Sequence, residues 1–586
     1  MLDSIYVRLC RWAGGFKGLR RPVPEELCRN LEFSELPVEG EEVSALASLG
    51  AALGGIAVIA AMFSHLLFHL SPIFIIAISP SPLLAYIFAG WYPSLKADRE
   101  IIRGQGEAPR LISYMTMTLR VNPNLERSAK FAAERVGGAL GRSLREELRR
   151  MYLRIHEDIE EAISKFVHHW KGRCKELERS MYLLRISVSE REQGSRLKIL
   201  DRALELSLEG VRERMMDFAS KLHLPTLVIY GLGVLLPLVF LVVLPVLSVI
   251  NLRIGAGEMA LVYCVVLPLS IYGLGKYVLT KRPLAFPPPE IPMRGKATRS
   301  LCIAIPPAAA LMLLSLWTGL PPTARPLLVL WGLALGISTY LYLGSADAYR
   351  ARLEEEKVEE ELHDALIQLG NHMGGRRPAE DAFRRAAETS KGSRIAKIFE
   401  RASANIRLGG MRPYTAFFDP DEGALKDVRS PTVRSALQVL IDAMERGSQV
   451  AGEAVLSLAN HLRELKRVET DIRRSLGEIV NSMRSVALFF APFIAATAAC
   501  LQEALVAEAS GIPFLGGETS MPPEVFLYVM GFYTIVITCI MMSYSVEIER
   551  GADSVMKTAA IARSLPTAMM VFTFGVILGK QVFSFI

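Results

Sequence analysis

No Asp, Glu, Lys or Arg interrupts the sequence between Val43 and Leu95. Charge is scarce throughout, at 22% of 586 residues against 51% hydrophobic, which excludes an ordinary multidomain soluble chain. A helix crossing ~30 Å of hydrocarbon needs roughly 20 mostly apolar residues. Further charge-free runs meet or approach that length: Leu222–Leu252, Met259–Gly275, Ser300–Ala324, Pro326–Ala346, Ser485–Gln502, Val525–Val546 and Ser564–Gly579. With Val43–Leu95 read as two spans around a turn near Ser71-Pro72, nine candidate spans result. Those beginning at Met259, Ser485 and Ser564 are short, and flanking Lys and Arg that reach the interface lengthen them in effect.

Catalytic signatures are missing as well. A nucleotide loop needs GxxxxGK[ST], and Gly275-Lys276, Gly295-Lys296 and Gly579-Lys580 all lack the companion residues. HExxH is absent, as is GxSxG in a strand-turn-helix setting. The sequence therefore reads as a non-enzyme without a cofactor. The seven cysteines form no CxxC pair, and four fall in candidate spans, so they read as reduced fillers. His168, His169 and Cys174 are close in sequence, but adjacent helical residues point ~100° apart, which favours plain helix surface over a metal site. Asp419–Gly423, DPDEG, resembles the start of a calcium loop, yet Ser430 stands where a bidentate Glu belongs, so a capped turn is expected. Within the spans His65 and His69 are the main ionisable residues, and a transporter would show more buried charge or matched helix breaks. The Ser79–Pro82 break and two matched prolines are the only such hints.

The start, MLDSIYVRLCRWAGGFKGLRRP, is broken by Arg8 and Arg11 too early for a signal peptide and is expected to stay on the chain. Ile5, Leu9, Trp12 and Phe16 share a helical face that suits either a membrane interface or packing on the cytosolic part.

Threading nine crossings with the N-terminus inside places all but three of the 67 Lys and Arg in the cytoplasm, the exceptions being Arg253, Arg325 and Lys580. The expected map is a cytosolic segment 1–42, a transmembrane pair 43–92, a cytosolic helical domain 93–221 and a second pair 222–279. A Pro-rich basic linker 280–298 follows, then a third pair 299–346, a second cytosolic helical domain 347–484, a fourth pair 485–546, a cytosolic loop 547–563 and a final span 564–586. The C-terminus then lies outside.

The two cytosolic parts are alike. LERSAKFAAE, Leu125–Glu134, returns as AEDAFRRAAE, Ala379–Glu388, at an offset of 254. EQGS at Glu192–Ser195 returns as ERGS at Glu445–Ser448, and Pro237 in GVLLPL as Pro492 in FFAPF. An offset that drifts by only a residue or two predicts tandem duplication. Four spans per copy make the copies parallel repeats about an axis along the membrane normal, both soluble domains facing the cytoplasm. No proline occurs from residue 125 to 217, and Leu144, Leu148, Met151 and Ile155 recur at helical spacing. The fold class is thus all-α: a polytopic membrane protein with two cytosolic helical bundles.

LISYMTMTLRVNPNLERSAKFAAE, ALIQLGNHMGGRRPAEDAFRRAAE, EGALKDVRSPTVRSALQVLIDAMERGSQVAGEAV and YSVEIERGADSVMKTAAIAR together resemble the platform proteins of type IV pilus-like machines and type II secretion, in particular the large archaeal pilus and archaellum form. The first domain departs from the pattern, with KFVHHWKGRCKELERSMYLL in place of the SPT-like segment. The resemblance implies a non-enzymatic scaffold in the cell membrane whose partners are a cytosolic hexameric secretion ATPase and pilin or archaellin subunits, with membrane lipid around it and no nucleic acid. Whether it acts as monomer or homodimer is open. If docking is electrostatic, the repeated surfaces are the candidates: Arg120, Arg127 and Lys130 in the first copy, Arg376, Arg377 and Arg384 in the second, and the Glu192 and Glu445 turns. Pro237 and Pro492 are candidate coupling positions. The rival readings are a secondary transporter and a membrane signalling scaffold.

Overall fold

The computed structural model describes residues 2–16, 18, 22–34, 36–68, 81–239, 256–283, 297–317, 319, 321–374, 378–444, 447–509 and 522–584. Among them every regular element is helical and no strand occurs, as the all-α reading requires. His69, the turn at Ser71-Pro72, most of the Ser79–Pro82 break, Arg253, Arg376, Arg377 and Glu445 lie outside the described residues, as do the side chains of Ile5 and His65. The chain forms two compact units.

The first unit comprises residues 1–107 and 137–143. It holds α1 (Leu2–Gly14), α2 (Glu25–Phe33), α3 (Gly40–Phe68), most of α4 (Ser81–Val121) and the start of α6 (Gly138–Tyr152). Tyr6, Cys10 and Ala13 of α1 are buried, and the Tyr6 hydroxyl donates to the Ala89 carbonyl at 2.7 Å. The other face, Leu9, Trp12 and Phe16, is exposed, so α1 both packs on its own protein and presents an aromatic surface. Gly138 has φ +68, and a Cβ there would collide with the Glu107 carboxylate, which accepts the Leu140 N–H at 3.2 Å. Only glycine fits that turn.

The second unit comprises residues 108–136 and 144–586. Its first helical bundle is built from the end of α4, α5 (Leu125–Arg135), the body of α6, α7 (Ile159–His169), α8 (Lys175–Ser189) and α9 (Gln193–Tyr230). The α5 and α7 starts are capped by Asn124 and Asp158, whose side chains accept the N–H groups of Arg127 and Glu161. Trp170 and Cys174 are buried while His168 and His169 face out, and no group of potential metal ligands occurs among the described residues. Short helices α10 (Ala256–Leu261) and α11 (Leu267–Thr280), then α12 (Ala297–Leu314), lead to α13 (Ala324–Gly374). The second bundle adds α14 (Ala379–Thr389), α15 (Arg394–Arg407), α16 (Pro413–Phe418), α17 (Pro431–Met444) and α18 (Ser448–Ser485). In the DPDEG turn, Asp419 Oδ1 accepts the N–H groups of Asp421 and Glu422 at 2.9 and 3.0 Å, the expected capped turn. The chain closes with α19 (Ala491–Ala509), α20 (Pro523–Arg550) and α21 (Ser554–Ser584).

Seven helical stretches among the described residues are long and apolar enough to cross a membrane: 40–63, 193–239, 257–280, 324–374, 451–504, 523–550 and 554–582. The three runs that looked short in sequence are among them, because their helices continue into charged flanks. Residues 299–315 form a shorter apolar helix, and of the second span in the expected pair 43–92 only the part from Ser81, at the start of α4, lies within the described residues. The spans of the second unit share one core with the upper parts of α9 and α18, around the fully buried Phe526, Tyr533, Phe572 and Tyr263. Helices α19 and α21 approach through small residues: a Cβ on Gly575 would stand 2.7 Å from the Ala496 Cβ, and one on Gly579 2.7 Å from the Cys500 Sγ. Close backbone approach of this kind is what holds helices together where lipid removes the hydrophobic drive.

Candidate functional site

Both bundles end in a 38-residue helix that runs straight into the membrane region, α9 and α18. Each is followed without a break by a five-residue π-helical segment, Gly231–Leu235 and Val486–Phe490, 255 positions apart. A third π segment, Val262–Val266, joins α10 to α11. In all three a proline stands two residues after the segment: Pro237, Pro492 and Pro268. Proline lacks the N–H that would close the turn, and its ring clashes with the carbonyl four residues back, so a widened turn relieves the clash. The carbonyls so released would be costly in a membrane. Helix α20 supplies the donors. The Tyr533 hydroxyl donates to the Gly233 carbonyl at 2.6 Å, four residues before Pro237, and Thr538 Oγ1 donates to the Ala487 carbonyl at 3.3 Å, five before Pro492. The Tyr263 hydroxyl donates to the Pro237 carbonyl at 2.8 Å. The two candidate coupling prolines are therefore joined through one helix.

Below these joints the charged ends of the helices interlock. On α13, Arg352 Nε donates to Asp553 Oδ2 at 3.2 Å, with both side chains buried. Glu356 receives Arg473 of α18 at 3.0 Å and Arg550 of α20 at 3.3 Å. Burial pushes the Glu356 carboxyl up, but the two guanidiniums outweigh it and hold it below its ordinary range. Arg484 pairs with Glu549, and Glu547 receives Lys276 at 2.9 Å and Lys557 at 3.0 Å. Arg282 caps the end of α20, its Nε donating to the Ile548 carbonyl at 2.8 Å. Burial lowers this guanidinium to about 10, with Glu547 opposing.

The bundles themselves are locked together. Arg120 donates to Ser457 on α18 and to Asp201 on α9. Arg135 reaches Gln438 on α17, and Arg127 lies 3.7 Å from Asp442. His461 Nε2 and Ser113 Oγ are 2.7 Å apart in a buried position, and burial, with Arg120 nearby, drives the imidazole down to about 3. Of the residues picked out as docking candidates, Arg120 is thus turned inward. Lys130 and Arg127 are exposed on α5. Arg384 is half-exposed and paired along its own helix with Glu388 at 2.9 Å and Asp381 at 3.5 Å. Glu192 is the exposed residue before α9, accepting the Ser195 hydroxyl at 2.9 Å. Pro268, Tyr533, Arg282 and the Arg352–Asp553 pair were not picked out from sequence. A proline just past the middle of an apolar run was the available signal for the first, and the others pair across long separations with no local pattern.

Residues 365–498 match the family described as type II secretion system (T2SS), protein F. The matched stretch begins near the end of α13, takes in the whole second bundle and α18, and ends in α19 just past Pro492. No curated protein and no solved structure matched the chain.

Proposed function

We propose that this multi-pass membrane protein is the platform of a type II secretion or type IV pilus-like machine, of the large archaeal pilus or archaellum form, and that it couples a cytosolic hexameric ATPase to the movement of pilin-like subunits into a filament. The observation that carries the reading is the family match across the second bundle, its exit helix and the proline joint. The first bundle repeats that order: helices of equal length, α5 and α14 with 11 residues, α9 and α18 with 38, then a π segment and a proline. This recurrence supports an internal duplication, and the distribution of Lys and Arg supports both bundles on the cytoplasmic face with the N-terminus inside.

In this reading the chain is a scaffold and performs no chemistry of its own. A push on the bundles travels along α9 and α18 into the spans that hold Pro237 and Pro492. There α20, hydrogen-bonded to both joints, moves with them. Exposed Lys130 and Arg127 and half-exposed Arg384 remain the docking candidates for the ATPase, together with Arg376, Arg377, Glu192 and Glu445. Deleting the gene in its own host should abolish filaments or secreted substrate while leaving solute uptake intact, with recovery on return of the native chain. Filaments unchanged by the deletion would refute the proposal.

A further inference from the structure

Where the bundles meet the base of the spans, the second unit forms a partly open cavity of about 140 Å³. Six cationic side chains line it against three carboxylates, Glu359, Glu469 and Glu549. Three of the cations are already neutralised: Arg473 and Lys466 by Glu469, at 2.6 and 3.3 Å, and Arg550 by Glu356 at 3.3 Å. Of the other three, Arg352 has one carboxylate partner, Asp553 at 3.2 Å, and Arg110 and Arg282 have none within pairing distance among the described residues. Arg110, half-buried on α4, has no ion pair among the described residues. Arg282 is buried and meets backbone carbonyls but no carboxylate within pairing distance among the described residues. Arg352 is only 8% exposed and spends Nε on Asp553, while its Nη1, shut off from solvent, has no hydrogen-bond partner.

An unmet guanidinium N–H is costly, and two guanidiniums without carboxylate partners lining the same cavity raise the local potential. Arginine forks match the oxygens of a phosphate better than any other common anion partner, since each fork can bond two oxygens at once. The depth fits as well: Arg282 stands two residues beyond the end of α11, and Glu549 and Arg550 close α20, so the cavity lies at the level where apolar helix gives way to charge. We propose that this cavity is a phosphate-binding site in which Arg110, Arg282 and Arg352 hold the anion, supplied either by the headgroup of an acidic membrane lipid or by a free phosphoanion. Occupancy would tie α4, α11 and α13 together at the membrane boundary, whatever machine the protein serves.

The test uses the purified full chain in neutral detergent, melted with increasing inorganic phosphate in one arm and with short-chain phosphatidylglycerol in the other, against chloride at equal ionic strength. Stabilisation by several degrees in either arm is expected. A response to phosphate alone assigns a free anion, and a response to the lipid alone assigns a headgroup. Arg110→Gln should weaken apparent affinity at least fivefold, Arg110→Lys less, and Lys397→Gln, an exposed cation elsewhere, not at all. No shift in either arm for the native chain would overturn the proposal whether or not the variants fold, as would equal shifts for native and R110Q proteins.

Discussion

Arg352 and Asp553, 201 positions apart, form an ion pair at 3.2 Å with side chains only 9% and 5% exposed. Asp553 also accepts the N–H groups of Val555 and Met556 at 3.1 and 3.0 Å, capping α21, after a turn in which Gly551 takes φ +78. One carboxylate thereby fixes the α20–α21 corner to the long helix α13.

Replacing Arg352 with Met should leave that carboxylate buried and uncompensated. The expected loss is about 3–5 kcal/mol, because the desolvation cost of the remaining charge is no longer offset. The double change Arg352→Met with Asp553→Asn should recover a large part of it. Melting of the three proteins in detergent checks this, and a double variant as weak as the single one would contradict it.

Tyr533→Phe removes the donor to the carbonyl released by Pro237. Hydrogen bonds within membranes are worth about 1 kcal/mol, so a small fall in melting temperature is expected. Pro237→Ala should suppress it by restoring the missing N–H. In the host, Pro237→Ala with Pro492→Ala should leave protein levels intact and reduce filament output or secretion.

Gly575→Leu places a branched side chain where even a Cβ would stand 2.7 Å from Ala496. Overpacking of this kind costs about 1–3 kcal/mol. The α19–α21 contact should open, which a cysteine cross-link between the two helices would report as a lost product.

His461 is kept neutral by burial, with Arg120 adding to the effect, so its folded value of about 3 lies below the ordinary unfolded one of about 6.5. The unfolded chain therefore takes up the proton first, and stability contributed by this site falls as pH drops from about 6.5 toward about 3. His461→Gln should show a shallower loss than the native chain over that window. Parallel pH curves would mean the imidazole is not what titrates.

The fold class was legible because it is written in long uncharged runs and in apolar residues at helical spacing, both local signals. Span ends were less so: the runs at Met259, Ser485 and Ser564 looked short since charged flanks that stay helical are indistinguishable from loop by composition. Pro237 and Pro492 were visible as a matched pair, but Pro268 was not, and nothing local announces that Tyr533 and Thr538 on a later helix answer them. Arg120 looked like surface because cationic residues usually are, while Asp201 and Ser457, which draw it inward, lie far along the chain. The pairs that close the base of the spans join residues up to 271 positions apart, as Lys276 and Glu547 do, and such pairing is a property of packing alone.

The account rests on both helical bundles standing on the same, cytoplasmic, face of the membrane. Lys130→Cys in the first bundle and Lys397→Cys in the second, probed with a membrane-impermeant maleimide above the labelling of the native chain, test this directly. Both sites should label in inside-out vesicles and neither in right-side-out ones; labelling of the two from opposite faces would contradict it.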